Sequence, residues 1–216
     1  SLAYQKRAEL HERFAHYLEQ QTQQDPEDNA AIENYLDLLA FHYDQSDNSQ
    51  KARDYLSRAG RAAQARYDNQ AAIDYYRKVL TYLDREQQTT HPDSQNKNSQ
   101  NKNSHEKHLA NARMRVDILL DLGRVQQLVG EWDLAQTHFQ DALACSQTDC
   151  DQASAEARSA MALGSLFLRR NQYDDATRWL EHAKKLWEDQ PTSPETRSSI
   201  SYIFSELGNI AWRQGD

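Results

Sequence analysis

The stretch Arg113 to Leu143, RMRVDILLDLGRVQQLVGEWDLAQTHFQDAL, limits the fold more than any other part of the chain, because it encodes two amphipathic helices and the tight turn between them. Leu119, Leu122 and Gly123 share a face of the first helix, Gly130 breaks it, and Ala135, Phe139 and Ala142 fall at i, i+4 and i+7 on the second. Small residues at Gly123 and Ala135 let the two helices approach closely, while the large ones fill the seam between neighbouring hairpins. The template returns between Ala160 and Ala183, with Leu163, Gly164, Tyr173, Ala176, Leu180 and Ala183 in the matching places. A partial third copy, Phe204, Leu207, Gly208 and Gly215, ends the sequence. These residues predict an all-α chain: a right-handed superhelical solenoid of about nine helices in antiparallel hairpins, with no strand.

The order of small and large positions resembles the tetratricopeptide repeat (TPR). That resemblance implies a scaffold that binds other proteins, with the first helix of each hairpin lining a concave face. Equivalent glycines stand 41 residues apart from Gly123 to Gly164 and 44 apart from Gly164 to Gly208. Both exceed the usual period of about 34, so each helix carries roughly an extra turn.

Composition agrees with an elongated array. Mean hydropathy is -0.99 with 38% hydrophobic residues, yet 11 Tyr and 4 Trp fill many of the apolar positions. A repeat array has much surface for its core, and the spacing favours one continuous solenoid over two globular domains. Net charge is -8, which argues against nucleic acid or an anionic membrane as partner, since both need clustered Lys and Arg. No stretch approaches the roughly 18 apolar residues of a membrane span, and the N-terminus lacks the order of a signal peptide, so a cytoplasmic location is expected. Cys145 and Cys150 read as two reduced thiols, because no histidine stands at ligand spacing from them.

Taken in order, residues 1–24 form an N-terminal helix with Leu10, Phe14, Tyr17 and Leu18 on one face and Lys6, Arg7, Glu9, Glu12 and Arg13 on the other. Asp25 and Pro26 have the chemistry of a cap and first helical position, and residues 25–84 follow as TPR-like helices of about 27–43, 50–67 and 70–84. Between Arg85 and Lys107 the apolar periodicity stops, and QNKNSQNKNS offers nothing to bury; 85–107 is expected to be a flexible polar loop. Residues 108–190 are two long-period hairpins, with a loop around the cysteines. Residues 191–216 supply the first helix of a repeat cut short at RQGD, where the turn into another hairpin belongs.

Two segments carry a further resemblance. LAYQKRAELHERFAHYLEQ and DLLAFHYDQSDNSQKARDYLSRAGRAAQARYDNQAAIDYYRKVL are similar to the helices that follow the winged-helix end of the ATPase module in bacterial class III adenylate or guanylate cyclases, and in related AAA/STAND-type signalling regulators. The likeness covers about residues 2–83, departs at Asp47-Asn48-Ser49 where Gly-Asp is usual, and implies a regulatory tail joined to an upstream ATPase. It places no cyclase residue in this chain.

Motifs for chemistry are missing from the sequence. There is no GxxxxGK[ST] and no GxGxxG, so nucleotide binding has no local support and no cofactor is expected. His11 and His16 fall on different helix faces; His105 and His108 lack a third ligand nearby. Asp44 to Tyr55 echoes a calcium loop but has Ser49 in place of its glycine and Tyr55 in place of its glutamate, which excludes the metal.

The expected function is therefore non-catalytic: a protein-interaction or sensor module of a larger signalling protein. The alternative is a structural spacer or oligomerisation arm. The candidate peptide groove consists of Arg124, Arg158, Met161, Arg169, Tyr202, Asn209, Trp212 and Arg213, with Asp117, Leu120, Gln127, Ser165, Leu168 and Ser205 beside them. Four arginines in an acidic chain, with two aromatic rings, suit an acidic or C-terminal peptide held by bidentate contacts and stacking. In the opposing reading Arg158 and Arg169 pair with their own neighbouring carboxylates, and Trp212 packs on a further hairpin.

Overall fold

A computed structural model describes residues 2–23, 29–89, 101–150 and 153–215. These residues form nine α-helices: α1 (Leu2–Gln23), α2 (Asn29–Asp44), α3 (Ser49–Ala65), α4 (Asn69–Thr89), α5 (Asn101–Leu128), α6 (Trp132–Cys145), α7 (Ala153–Arg169), α8 (Tyr173–Glu188) and α9 (Pro194–Gln214). No strand occurs among the described residues. The chain divides into two compact units, 1–93 and 94–216. In the first, α1 packs on α2, α2 on α3 and α3 on α4; in the second, each of α5 to α9 packs on the next, and α5, α7 and α9 also lie side by side.

The helix pairs close as the small-residue pattern requires. Gly60 of α3 faces the ring of Tyr76 on α4, Gly123 of α5 faces Phe139 on α6, and Gly164 of α7 faces Leu180 on α8; a methyl built on any of the three would meet that side chain at under 3.0 Å. Ala72, Ala135 and Ala176, four residues before those large side chains, are fully buried. A large residue seated where its neighbour has no Cβ fills the interior to native density, and that is what sets the distance between helices.

Turns and caps end the helices by recognisable means. Asn48 caps α3 by accepting from the Lys51 amide at 3.1 Å, and Ser193 caps α9 by accepting from the Thr196 amide at 3.0 Å, ahead of Pro194 at the first helical position. Gly130 holds φ at +83° in the turn from α5 to α6, a conformation that an L side chain resists.

Several expectations are revised. Helix α4 runs on to Thr89 and α5 begins at Asn101, so helix occupies both ends of the segment 85–107; residues 90–100 lie outside the described residues, as does the Asp25-Pro26 start. The expected cysteine loop is instead a π-helical turn, Ser146–Cys150, continuing α6, with the Cys145 thiol buried 3.7 Å from the Ala112 carbonyl. On α1 the face turned inward is Ala8, Ala15, Leu18 and Glu19, whereas Leu10, Phe14 and Tyr17 are exposed. Small residues on that inner side let α2 approach, so the larger side chains are left facing outward.

Candidate functional site

Side chains cross between the adjacent first helices of the second unit. Arg158 of α7 donates to Asp117 of α5 at 2.8 Å, and the hydroxyls of Ser165 on α7 and Tyr202 on α9 lie 2.9 Å apart. Near the end of α9, Arg213 reaches the Asn171 side-chain oxygen at 3.4 Å. Helices α5, α7 and α9 thus present one row of polar groups, on the face where the sequence places its groove.

The four arginines of that groove are not equivalent. Arg124 folds back onto Asp121, one turn earlier on α5, at 2.9 Å. Arg158, about one-third exposed, is held by Asp117. Arg169 is exposed and forms no ion pair among the described residues, and Arg213 has only the long contact to Asn171. Burial raises the Tyr202 phenol above its ordinary value, Glu206 adds to the rise, and the Ser165 hydroxyl and the Arg169 charge oppose it, which puts Arg169 within electrostatic reach of that ring. Arg169 and Arg170 also border a shallow open hollow against the turn Gly130 to Leu134, where Arg170 donates to Asp133 and Gln136, each at 3.0 Å.

Of the remaining predicted groove residues, Asn209 and Ser205 are exposed, Trp212 is 80% exposed, and Met161 and Gln127 are half-buried. Leu120 and Leu168 are buried at 1% and 5% exposure, so they belong to helix packing and not to a groove. The polar groups outside any ion pair lie toward the C-terminal ends of α7 and α9: Arg169, Asn209 and Arg213.

A second cluster lies in the first unit and was not anticipated from the sequence. His11 of α1 and His42 of α2 bring their Nδ1 atoms to 2.9 Å, so one ring donates and the other accepts. Phe14 packs at 4.6 Å from the His42 ring, and Phe41 lies 5.2 Å from His42 and 5.9 Å from His11. Burial lowers the basicity of His42, and the neighbouring His11 lowers it further. No spacing rule in the sequence brings this pair together, because its members stand 31 positions apart on two helices.

Among the described residues no three His, Cys, Asp or Glu side chains could hold an ion. His105 and His108 stand exposed on α5, where a loop had been expected. Asp44, first residue of the calcium-like stretch, is engaged by Lys78 at 2.7 Å and Tyr82 at 3.1 Å. No helix among the described residues is long and apolar enough to cross a membrane.

Comparison with known proteins bears on the same part of the chain. The tetratricopeptide repeat family model matches residues 115–189, so the stretch from within α5 to the end of α8 is a TPR region. Repeats of this family generally mediate protein–protein contact and are typically non-catalytic. A search of curated proteins returned no match. Among solved structures, the crystal structure of BtubC (BKLC) from P. vanneervenii aligns over 99% of this chain and 85% of its own, with 17% identity and a TM-score of 0.46.

Proposed function

We propose that the chain is a non-catalytic interaction module that binds an acidic or C-terminal peptide of a protein partner along α5, α7 and α9. The observation that carries this reading is the contrast among the groove arginines: Arg124 and Arg158 are neutralised by carboxylates of their own unit, while Arg169 stands exposed within electrostatic reach of Tyr202 and Arg213 is exposed with only a long contact to Asn171. A guanidinium with no carboxylate of its own keeps its planar donor set for a carboxylate from outside. In a chain of net charge -8 it also supplies a local field of the sign an acidic peptide needs.

Titrating a labelled acidic peptide against the chain and its variants tests this reading. Arg169→Ala should weaken binding by about 1 to 3 kcal/mol, the range for hydrogen bonds to charged groups. Arg124→Ala should change it by less than about 0.5 kcal/mol, because a partly exposed i, i+3 pair is already screened and satisfied. Raised salt should weaken the wild-type complex and leave the Arg169→Ala complex less affected. Equal affinity for wild type and Arg169→Ala would return this face to a solvated surface and favour the spacer reading.

The setting we infer is cytoplasmic and within a larger signalling protein, the role implied by the likeness of residues 2–83 to the tails of cyclase-linked ATPases. Deleting this segment from such a parent should alter its regulation without removing its catalytic residues. An unchanged response to every stimulus would argue against a sensor role.

A further inference from the structure

The hollow beside Arg169 brings together an apolar patch, a fixed guanidinium and a free one. Its walls are the turn Gly130 to Leu134 at the start of α6 and the end of α7; α6 packs on α7, with α5 before them and α8 after. A volume of about 600 Å³ is ample for one ring and the backbone that carries it. Gly130 contributes no side chain, and a Cβ there would meet nothing within 4 Å, so this corner stays open. Beside it Trp132 is half-buried and Leu134 is 43% exposed, which leaves apolar surface lining the space.

Arg170 adds a flat wall to this patch. Its Nη1 donates to Asp133 and to Gln136, each at 3.0 Å, so one edge of the guanidinium is gripped while the side chain stays about one-third exposed. A guanidinium held by its edge keeps a face for stacking, and an aromatic ring is the group that stacks on it. The charges of the lining then fix where an acid beside that ring would go. Asp133 is cancelled by Arg170, and Glu131 accepts from the Gln126 amide at 3.3 Å. Arg169 is exposed, forms no ion pair among the described residues, and reaches Tyr202 on the groove side with its charge. An acidic group entering with the ring is therefore drawn to Arg169 and repelled by Glu131.

We propose that the hollow selects an aromatic side chain next to an acidic residue, the ring lying on Trp132, Leu134 and the face of Arg170 while the neighbouring carboxylate pairs with Arg169. The inference rests on the acidic-peptide reading above and deepens it, since it gives the same site a preference for ring plus acid over acid alone. An aliphatic side chain covers Trp132 and Leu134 but gains nothing from the guanidinium face, whereas a ring gains from both.

The test titrates the full 216-residue chain, by fluorescence anisotropy, into three labelled peptides of the form Gly-Ser-Asp-Asp-X-Asp-Asp-Ser-Gly, in which X is Phe, Leu or Ala. The Phe peptide should bind about tenfold tighter than the Ala peptide, as for an aromatic anchor at an interface, with the Leu peptide between them. Leu134→Ala removes exposed apolar surface, and Arg170→Lys keeps the charge but not the plane. Each should bring the Phe and Ala peptides close to equal affinity while leaving the Ala peptide near its wild-type value, with Tm unchanged for Leu134→Ala because that side chain stands partly in solvent. Arg169→Ala should weaken all three peptides. Equal binding of the Phe and Ala peptides, with the Arg169 effect intact, overturns the role of the hollow and leaves the acidic-peptide reading standing. A Phe preference that survives both Leu134→Ala and Arg170→Lys overturns it as well, since the ring then sits elsewhere. Absence of binding by any peptide, or of an Arg169 effect on all of them, removes both readings together.

Discussion

Glu19 is 5% exposed and collects three donors from two other helices: the Tyr43 hydroxyl at 2.7 Å, the Tyr55 hydroxyl at 2.5 Å and the Lys51 ammonium at 2.7 Å. Burial alone would raise its pKa; the bonds from Lys51, Tyr55 and Tyr43 outweigh it and hold the carboxyl at about 2 against an ordinary 4.5. The two phenols move upward in turn, through burial and then the Glu19 charge. Since the folded value lies below the unfolded one, the stabilisation is complete above pH 4.5 and is lost as pH falls from 4.5 toward 2. By the usual conversion of a pKa difference this is at most about 3 kcal/mol. His42 adds a loss of the same sign at milder acidity, because its lowered basicity makes protonation below its ordinary 6.5 favour the unfolded chain. Denaturant melts of the first unit between pH 7 and 3 should therefore show stability falling steadily, and Glu19→Gln should remove the step below 4.5 while costing about 1 to 3 kcal/mol at neutral pH. A Glu19→Gln profile parallel to wild type would show that the carboxylate contributes nothing.

At the scale of the helix, the same small residue means different things in different places. Gly123→Ala puts a methyl into the Phe139 ring and should cost about 1 to 3 kcal/mol by overpacking, although alanine is the better helix former. Phe139→Ala, emptying the same contact from the other side, should cost about 3 to 5 kcal/mol. The two changes share one cavity, so their double mutant should be less destabilised than their sum, a coupling that thermal melts can read. This pair was legible in the sequence because small and large residues recur at helical spacing on both members of a hairpin. The outward face of α1 was not: Leu10, Phe14 and Tyr17 mark an apolar side, but periodicity does not say which side a neighbour takes, and Ala8 and Ala15 permit the closer approach. Nor could the ends of α4 and α5 be read, since polar residues with no apolar stripe leave helix and loop alike in pattern. The groove was legible as a row of positions, yet which of its arginines stay uncommitted depends on Asp117 and Asp121, whose side-chain directions no spacing rule supplies.

For the molecule as a whole, the division into two compact units has a consequence for where binding resides. Every predicted groove residue, from Arg124 to Arg213, belongs to the second unit, as does the TPR region. That unit has its own core, with Ile118, Leu122, Phe139, Leu163, Leu166, Leu180 and Trp187 all at most 1% exposed, and each of its helices packs on the next. Burial of this kind within one run of neighbouring helices is what repeat proteins use to fold in pieces, since stability there is approximately a sum over repeats and their nearest-neighbour contacts. A fragment of residues 101–216 should accordingly give a helical circular dichroism spectrum with a cooperative melt. It should bind the acidic peptide within about 0.5 kcal/mol of the full chain, the usual tolerance for independent sites, and lose affinity on Arg169→Ala to the same extent. The complementary fragment, residues 1–93, should keep the pH-dependent melt set by Glu19 and His42 and show no affinity for that peptide. A helical, cooperatively melting 101–216 fragment with no affinity for the peptide would mean that residues of the first unit complete the face, and the assignment to α5, α7 and α9 alone would have to be withdrawn.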